Sequence, residues 1–202
     1  MNHILPTFLF FFFQISLNAQ PAFDWVKKHN SISNQGGAYG EHILDRYGNS
    51  YNFGLFASTV DFDPGPGNFY LTSASPSTDA FISKFNPQGD LIWAIRIGGT
   101  GEDKAASMGV DMNGDLLITG SFQLTVDFDP GAGVSNLRDD SLGDAFILNL
   151  DSAGNFIYAK SFGGVNGNEN PSVQIDPFNQ IYLYGAFQYT VDFDPGPAAA
   201  YV

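Results

Sequence analysis

The segment Thr59 to Gly65, Thr-Val-Asp-Phe-Asp-Pro-Gly, returns as Thr125 to Gly131 and again as Thr190 to Gly196. A chain with so regular a spacing folds unit by unit, each unit burying its apolar face against the next, so its architecture has to be read per repeat. Other positions fall into the same register. Asp79-Ala80-Phe81-Ile82 recurs as Asp144-Ala145-Phe146-Ile147, and Ile97-Gly98-Gly99 as Phe162-Gly163-Gly164. Asp45, Asp111 and Asp176 are in phase, as are Gly54, Gly120 and Gly185, and Phe56, Phe122 and Phe187.

The middle copy predicts four strands, at about Ala106 to Asp111, Leu116 to Phe122, Asp144 to Leu150 and Phe156 to Phe162. Tetrads such as Asp111-Met112-Asn113-Gly114, Asp151-Ser152-Ala153-Gly154, Asn86-Pro87-Gln88-Gly89 and Asp45-Arg46-Tyr47-Gly48 punctuate them. An opening Asp or Asn bonds to its own backbone in a type I turn, and the closing Gly supplies a left-handed residue. Asp111 to Asp115 imitates the start of a calcium loop but lacks the remaining ligands, so it reads as a turn. Aromatic residues at 15%, 23 glycines and no apolar stripe at helical spacing leave almost no room for helix.

Four short antiparallel strands at a fixed period describe the blade of a β-propeller. The order of motifs from Asp79 to Gly120, repeated from Asp144 to Gly185, resembles the SBBP-type β-propeller repeat of exported bacterial proteins. The resemblance implies an all-β propeller of four-stranded antiparallel blades with a period of 65 to 66 residues, and it carries no single activity with it. On that expectation Phe23 to Val26 is a lone outer strand, two full blades follow from near Ala38, and a third is partial at Val202. The chain then reads as an incomplete propeller, a fragment to be completed by remaining blades or by copies of itself.

Ile4 to Leu17 is an apolar run, followed by small Ala19, that reads as a secretory signal peptide over residues 1–19, although Met1 to His3 carries no Lys or Arg. The run is short for a membrane span, so no membrane insertion is expected after its removal. The expected location is secreted or at the cell surface. Cysteine is absent, so the exported fold has no disulfides to rely on. A net charge of −13 repels nucleic acid and anionic membranes.

Between the second and third strands each unit carries an acidic insert, Thr59 to Thr78 and Thr125 to Gly143. Alternation along a strand places Asp61 with Asp63 on one face, with Val60 and Phe62 on the other. Asp127 with Asp129, and Asp192 with Asp194, repeat the arrangement, while Asp79 or Asp144 closes the insert. These eight carboxylates are candidate calcium ligands, calcium being the one cofactor the sequence suggests. The other reading is an ordinary turn, with Asp63 bonding locally, Pro64 fixing φ and Gly65 reversing the chain. Recurring aromatics, Phe56, Phe81, Phe122, Phe146, Trp93 and Tyr158 among them, are expected to pack between units.

The function expected from these features is that of a non-catalytic exported propeller presenting acidic loops for binding or adhesion to an extracellular protein or glycan. The alternative is a secreted glycoside hydrolase using a loop carboxylate pair, since such enzymes hold two carboxyl groups roughly 5 to 10 Å apart. Repetition of the pair in every unit argues against a unique catalytic cleft. Gly98 to Lys104 fails the phosphate-loop pattern and reads as a linker between blades.

Overall fold

The computed structural model describes residues 30–31, 37–74, 77–139, 143–162 and 171–185. Among these residues there are fifteen strands and no helix. They are β1 (Asn30–Ser31), β2 (Gly37–Leu44), β3 (Ser50–Ala57), β4 (Thr59–Asp61), β5 (Tyr70–Thr72), β6 (Asp79–Phe85), β7 (Leu91–Ile97) and β8 (Lys104–Val110). Then follow β9 (Leu116–Phe122), β10 (Thr125–Asp127), β11 (Asn136–Arg138), β12 (Asp144–Leu150), β13 (Phe156–Phe162), β14 (Ser172–Ile175) and β15 (Ile181–Tyr184). Three of the four strands expected in the middle unit have the expected bounds. The other, β8, begins two residues earlier because a bulge between Ala105 and Ser107 carries its pairing with β9 back to Lys104.

Two four-stranded antiparallel sheets form the body of the fold, in the orders β2-β3-β6-β7 and β8-β9-β12-β13. Neighbours in each sheet follow chain order apart from the insert between second and third strands, which is itself a hairpin: β4 with β5, and β10 with β11. The fold is all-β and antiparallel throughout the described residues.

The turns form as their residue types demand. Asp45, Asp111, Asp151 and Asp176 each accept, on Oδ1, the amides two and four residues ahead, and Asn86 does the same. Gly48, Gly89, Gly114 and Gly154 take φ between 77° and 89°, where a side chain would be strained, and Asn179 fills that place in the last turn at φ 61°.

The two sheets stack face to face. Tyr51, Phe53, Ala80, Ile82 and Ile97 of the first share one apolar core with Met108, Leu116, Ile118, Phe146 and Leu148 of the second. At the rim, Lys84 Nζ donates to Ser152 O at 2.8 Å and Trp93 lies over Gly154, so aromatic and cationic side chains of one unit rest on the turn of the next. On the far face of the second sheet, Leu117 and Ile147 pack with Val173 of the β14–β15 hairpin. The result is three layers in chain order. The Phe23 to Val26 strand, the apolar run Ile4 to Leu17, Phe187, Asp192 and Asp194 lie outside the described residues. No helix among the described residues is long and apolar enough to cross a membrane.

Candidate functional site

Each acidic hairpin starts where its sheet stops. Ser58 and Leu124 take left-handed conformations, φ 63° and 64°, and this sharp reversal turns the end of β3 or β9 into β4 or β10. Side-chain alternation then sends Val60 and Phe62 inward, where they are at most 1% exposed. Phe62 meets Phe56 edge-on at 5.5 Å and Phe81 at 5.0 Å. Phe128 repeats this against Phe122 at 5.3 Å and Phe146 at 4.9 Å. Two aromatic triads therefore pin two hairpins to two sheets.

The carboxylates take up the backbone of their own loops. Asp61 Oδ1 accepts the amides of Asp63 at 3.1 Å and Phe69 at 2.8 Å, closing the loop at its base. Asp127 Oδ1 accepts those of Asp129 at 3.1 Å and Ser135 at 2.8 Å. At the tips, Asp63 Oδ1 accepts Gly65 N and Asp129 Oδ1 accepts Gly131 N, each at 2.7 Å. Glycine is needed further round the loop, because a Cβ on Gly67 or Gly133 would lie 2.3 or 2.1 Å from the second oxygen of Asp63 or Asp129. Asp61, only 7% exposed, is thus a buried loop closure.

Asp79 and Asp144 open β6 and β12, and both are buried. Asp79 is ion-paired to Arg96 and accepts the Ala74 amide at 3.0 Å. Burial raises its carboxyl, against the lowering effect of that amide and of Arg96. Arg96 also donates to Gly98 O at 3.0 Å and Thr72 O at 3.4 Å, which ties the first hairpin to β7. Among the described residues no group of three or more His, Asp or Glu side chains converges so as to hold a metal ion.

Asp103, which no local motif singles out, lies at the junction between the sheets. Its Oδ2 accepts Gly99 N at 2.8 Å, its Oδ1 accepts Gln123 N at 3.1 Å, and its own amide donates to Thr78 O at 2.8 Å. The linker Gly98 to Lys104 is thereby fastened to the ends of both inserts' sheets. Beside it lies a cavity of about 190 Å³ lined by Thr78, Glu102, Lys104, Ser121 and Gly143 among others. Local sequence gives no signal for this role, since it depends on packing between units.

Burial pushes the Asp103 carboxyl up to about 7; the Gly99 and Gln123 amides and Arg96 pull it down, and Asp79 adds to the rise. A carboxyl raised on folding stabilises the fold fully below its unfolded value and loses that contribution as pH climbs through the folded one. The wild type is therefore expected to lose stability between about pH 4 and pH 8 relative to Asp103→Asn, read as urea midpoints at each pH. Parallel pH profiles would refute this.

No family model matches the chain. Over 102 residues it is 28% identical to the regulatory protein FlaEY of Caulobacter vibrioides, a stretch covering 50% of this chain and 10% of that protein. Over 111 residues it is 21% identical to an uncharacterized WD repeat-containing protein of Acanthamoeba polyphaga mimivirus, covering 48% of this chain and 8% of that one. The chain spans a tenth or less of the length of these curated relatives.

Proposed function

We propose that the chain is part of an exported β-propeller, an SBBP-type repeat protein with blades recurring every 65 to 66 residues, that presents its hairpins for non-catalytic binding of an extracellular protein or glycan. The observation that carries this reading is the doubled one: two stacked four-stranded sheets bear the same hairpin on the same aromatic triad. A scaffold that repeats a projecting loop in each unit builds a multivalent surface, and multivalency raises avidity without new contacts. The likeness to a WD repeat-containing protein supports the propeller architecture.

In this reading the aspartate pairs shape the loops. Their oxygens accept backbone amides, which favours a turn role over calcium coordination. The hydrolase alternative needs one carboxyl raised in a cleft of its own.

Fractionation of source cells producing a tagged chain, with the exported fraction assayed on a panel of polysaccharides, tests the proposal. The expected result is a processed chain in the medium or on the cell surface that releases no reducing ends. A cytoplasmic chain with its N-terminal run intact would overturn export. Reducing-end release abolished by Asp61→Asn or Asp127→Asn would establish the hydrolase instead.

A further inference from the structure

The turn ends of the first two sheets are built alike but carry different charges. In the first sheet Lys84 lies opposite Tyr51 on one side and Trp93 on the other. Its side chain is only 9% exposed and points into the junction with the second unit. The ammonium stands 5.1 Å from the centre of the Tyr51 ring, within cation–π range, and donates to Ser152 O at 2.8 Å. Against slight burial, Asp45 is held below the usual carboxylate range by the Asn49 side chain and amide, the Tyr47 amide and the charge of Lys84. One carboxylate at this junction therefore has one ammonium from the chain itself.

In the second sheet Asn149 stands in the place of Lys84, opposite Leu117 and Tyr158, and its amide is spent on Leu116 O at 2.9 Å. The turn changes as well. Where Asn49 donates to Asp45 Oδ2 at 2.8 Å, the second unit has Asp115, a carboxylate with no proton to donate. Two carboxylates have replaced one, and the ammonium is gone. Beside Asn149 lies a cavity of about 150 Å³ walled by Leu117, Ile175 and Tyr158 and by the acidic Asp111 and Asp115. Among the described residues no Lys or Arg lines it. Slight burial and the charges of Asp111 and Asp151 raise the Asp115 carboxyl, as like charges do without a counter-ion. Among the described residues these acids do not converge on one point, as a metal ion requires.

We infer that this cavity is the docking site for a lysine side chain of a partner protein, with its aliphatic stem along Leu117 and Ile175 and its ammonium facing Tyr158, Asp111 and Asp115. Charge complementarity and the chain's own precedent select this occupant. One unit earlier the same register position is a lysine, packed on the tyrosine of the neighbouring strand. A cavity of about 150 Å³ takes up a molecule as large as benzene, so an alkylammonium fits where a strand or helix does not. The net charge of −13 also draws a cationic partner toward the chain. The site lies at the opposite end of β9 from the acidic hairpin, so it is a second binding surface and stands whatever the hairpins bind.

The test is a titration of the full chain with a capped tripeptide carrying lysine at its centre, followed by the amide NMR shifts of Met112, Asp115 and Asn179. Saturable shifts are expected, and none with the same peptide acetylated on Nζ. Asp115→Asn, which copies Asn49 of the first unit, should weaken binding at least about threefold. Asn149→Lys, which copies Lys84 and returns an ammonium to the chain, should abolish it. Should Asn149→Lys lose the dispersed amide shifts of β12 and fail to fold, Asp115→Asn decides alone. Absent or non-saturating shifts, equal shifts with the acetylated peptide, or unchanged affinity in Asp115→Asn would overturn the inference. Tighter binding of free pentanediamine than of the peptide would make a small diamine the occupant and also overturn it. Displacement of the peptide by millimolar calcium at constant ionic strength would do the same in favour of a metal ion.

Discussion

Replacing Phe128 by Ala is expected to destabilise the protein by about 3–5 kcal/mol, the range seen when a fully buried aromatic side chain is truncated. The ring is 0% exposed, and it fills the space between Phe122 and Phe146, side chains of adjacent strands β9 and β12. Its loss therefore removes apolar burial and opens a cavity between two rings that the sheet holds in place, so the site cannot collapse. The same change also loosens the acidic hairpin, whose remaining inward anchors are Val126 and the partly buried Leu137. Urea denaturation should show a lower midpoint with the slope nearly unchanged. Phe62→Ala should behave alike in the first unit, because Phe62 meets Phe56 and Phe81 in the same edge-on and tilted arrangement. A loss below about 1 kcal/mol at both positions would mean that the hairpins are not pinned by these rings.

The second large effect is expected from Gly120→Ala. A Cβ at Gly120 would stand 1.9 Å from the carbonyl oxygen of Lys104 as well as against the Phe146 ring. Neither neighbour yields easily. The Lys104 carbonyl belongs to the β8–β9 pairing beside the bulge, and Phe146 is held by the triad. Overpacking a core commonly costs about 1–3 kcal/mol, and this site should reach or exceed the top of that range because a backbone segment must move. Gly40→Ala provides the comparison. Its Cβ would also lie 1.9 Å from a carbonyl oxygen, that of Phe53, but Gly40 is exposed, sits on β2, which among the described residues pairs with β3 alone, and has no aromatic ring among its nearest neighbours. Gly40→Ala should therefore cost clearly less than Gly120→Ala. Equal losses would show that steric contact alone, without strand position, decides the outcome.

The long strands were legible because each is framed by turn residues that leave the chain little choice: an Asp or Asn that accepts its own downstream amides, then a residue that tolerates positive φ. Asp151 to Gly154 between β12 and β13 is such a frame. The second half of each insert was not legible. Strands β5 and β11 are three residues long, too short for an alternating pattern to register, and they exist because β4 and β10 give them a partner. Alternation did set Phe62 on the face opposite Asp61, but not the rings it would meet, since Phe56 and Phe81 come from different strands.

The aspartates of the candidate site illustrate the same boundary. Their spacing and repetition are plain in the sequence, while their role depends on where the loop returns. The amides of Phe69 and Ser135 reach Asp61 and Asp127 from eight residues further on, and that contact makes each carboxylate a loop closure. Asp103 was beyond reach for a comparable reason. Gly99, Thr78 and Gln123 come together only after one sheet has docked on the next.

Repeated sheets carry acidic hairpins whose carboxylates serve their own backbone. Amide hydrogen exchange of the full chain, in buffer with a chelator and then with millimolar calcium, tests it most directly. The amides of Asp63, Phe69, Asp129 and Ser135 are expected to be protected in chelator, and calcium is expected to leave their protection unchanged, since Asp61 and Asp127 already hold them. Amides that exchange freely in chelator and become protected only with calcium would contradict it, and would make these aspartates metal ligands that order the loops.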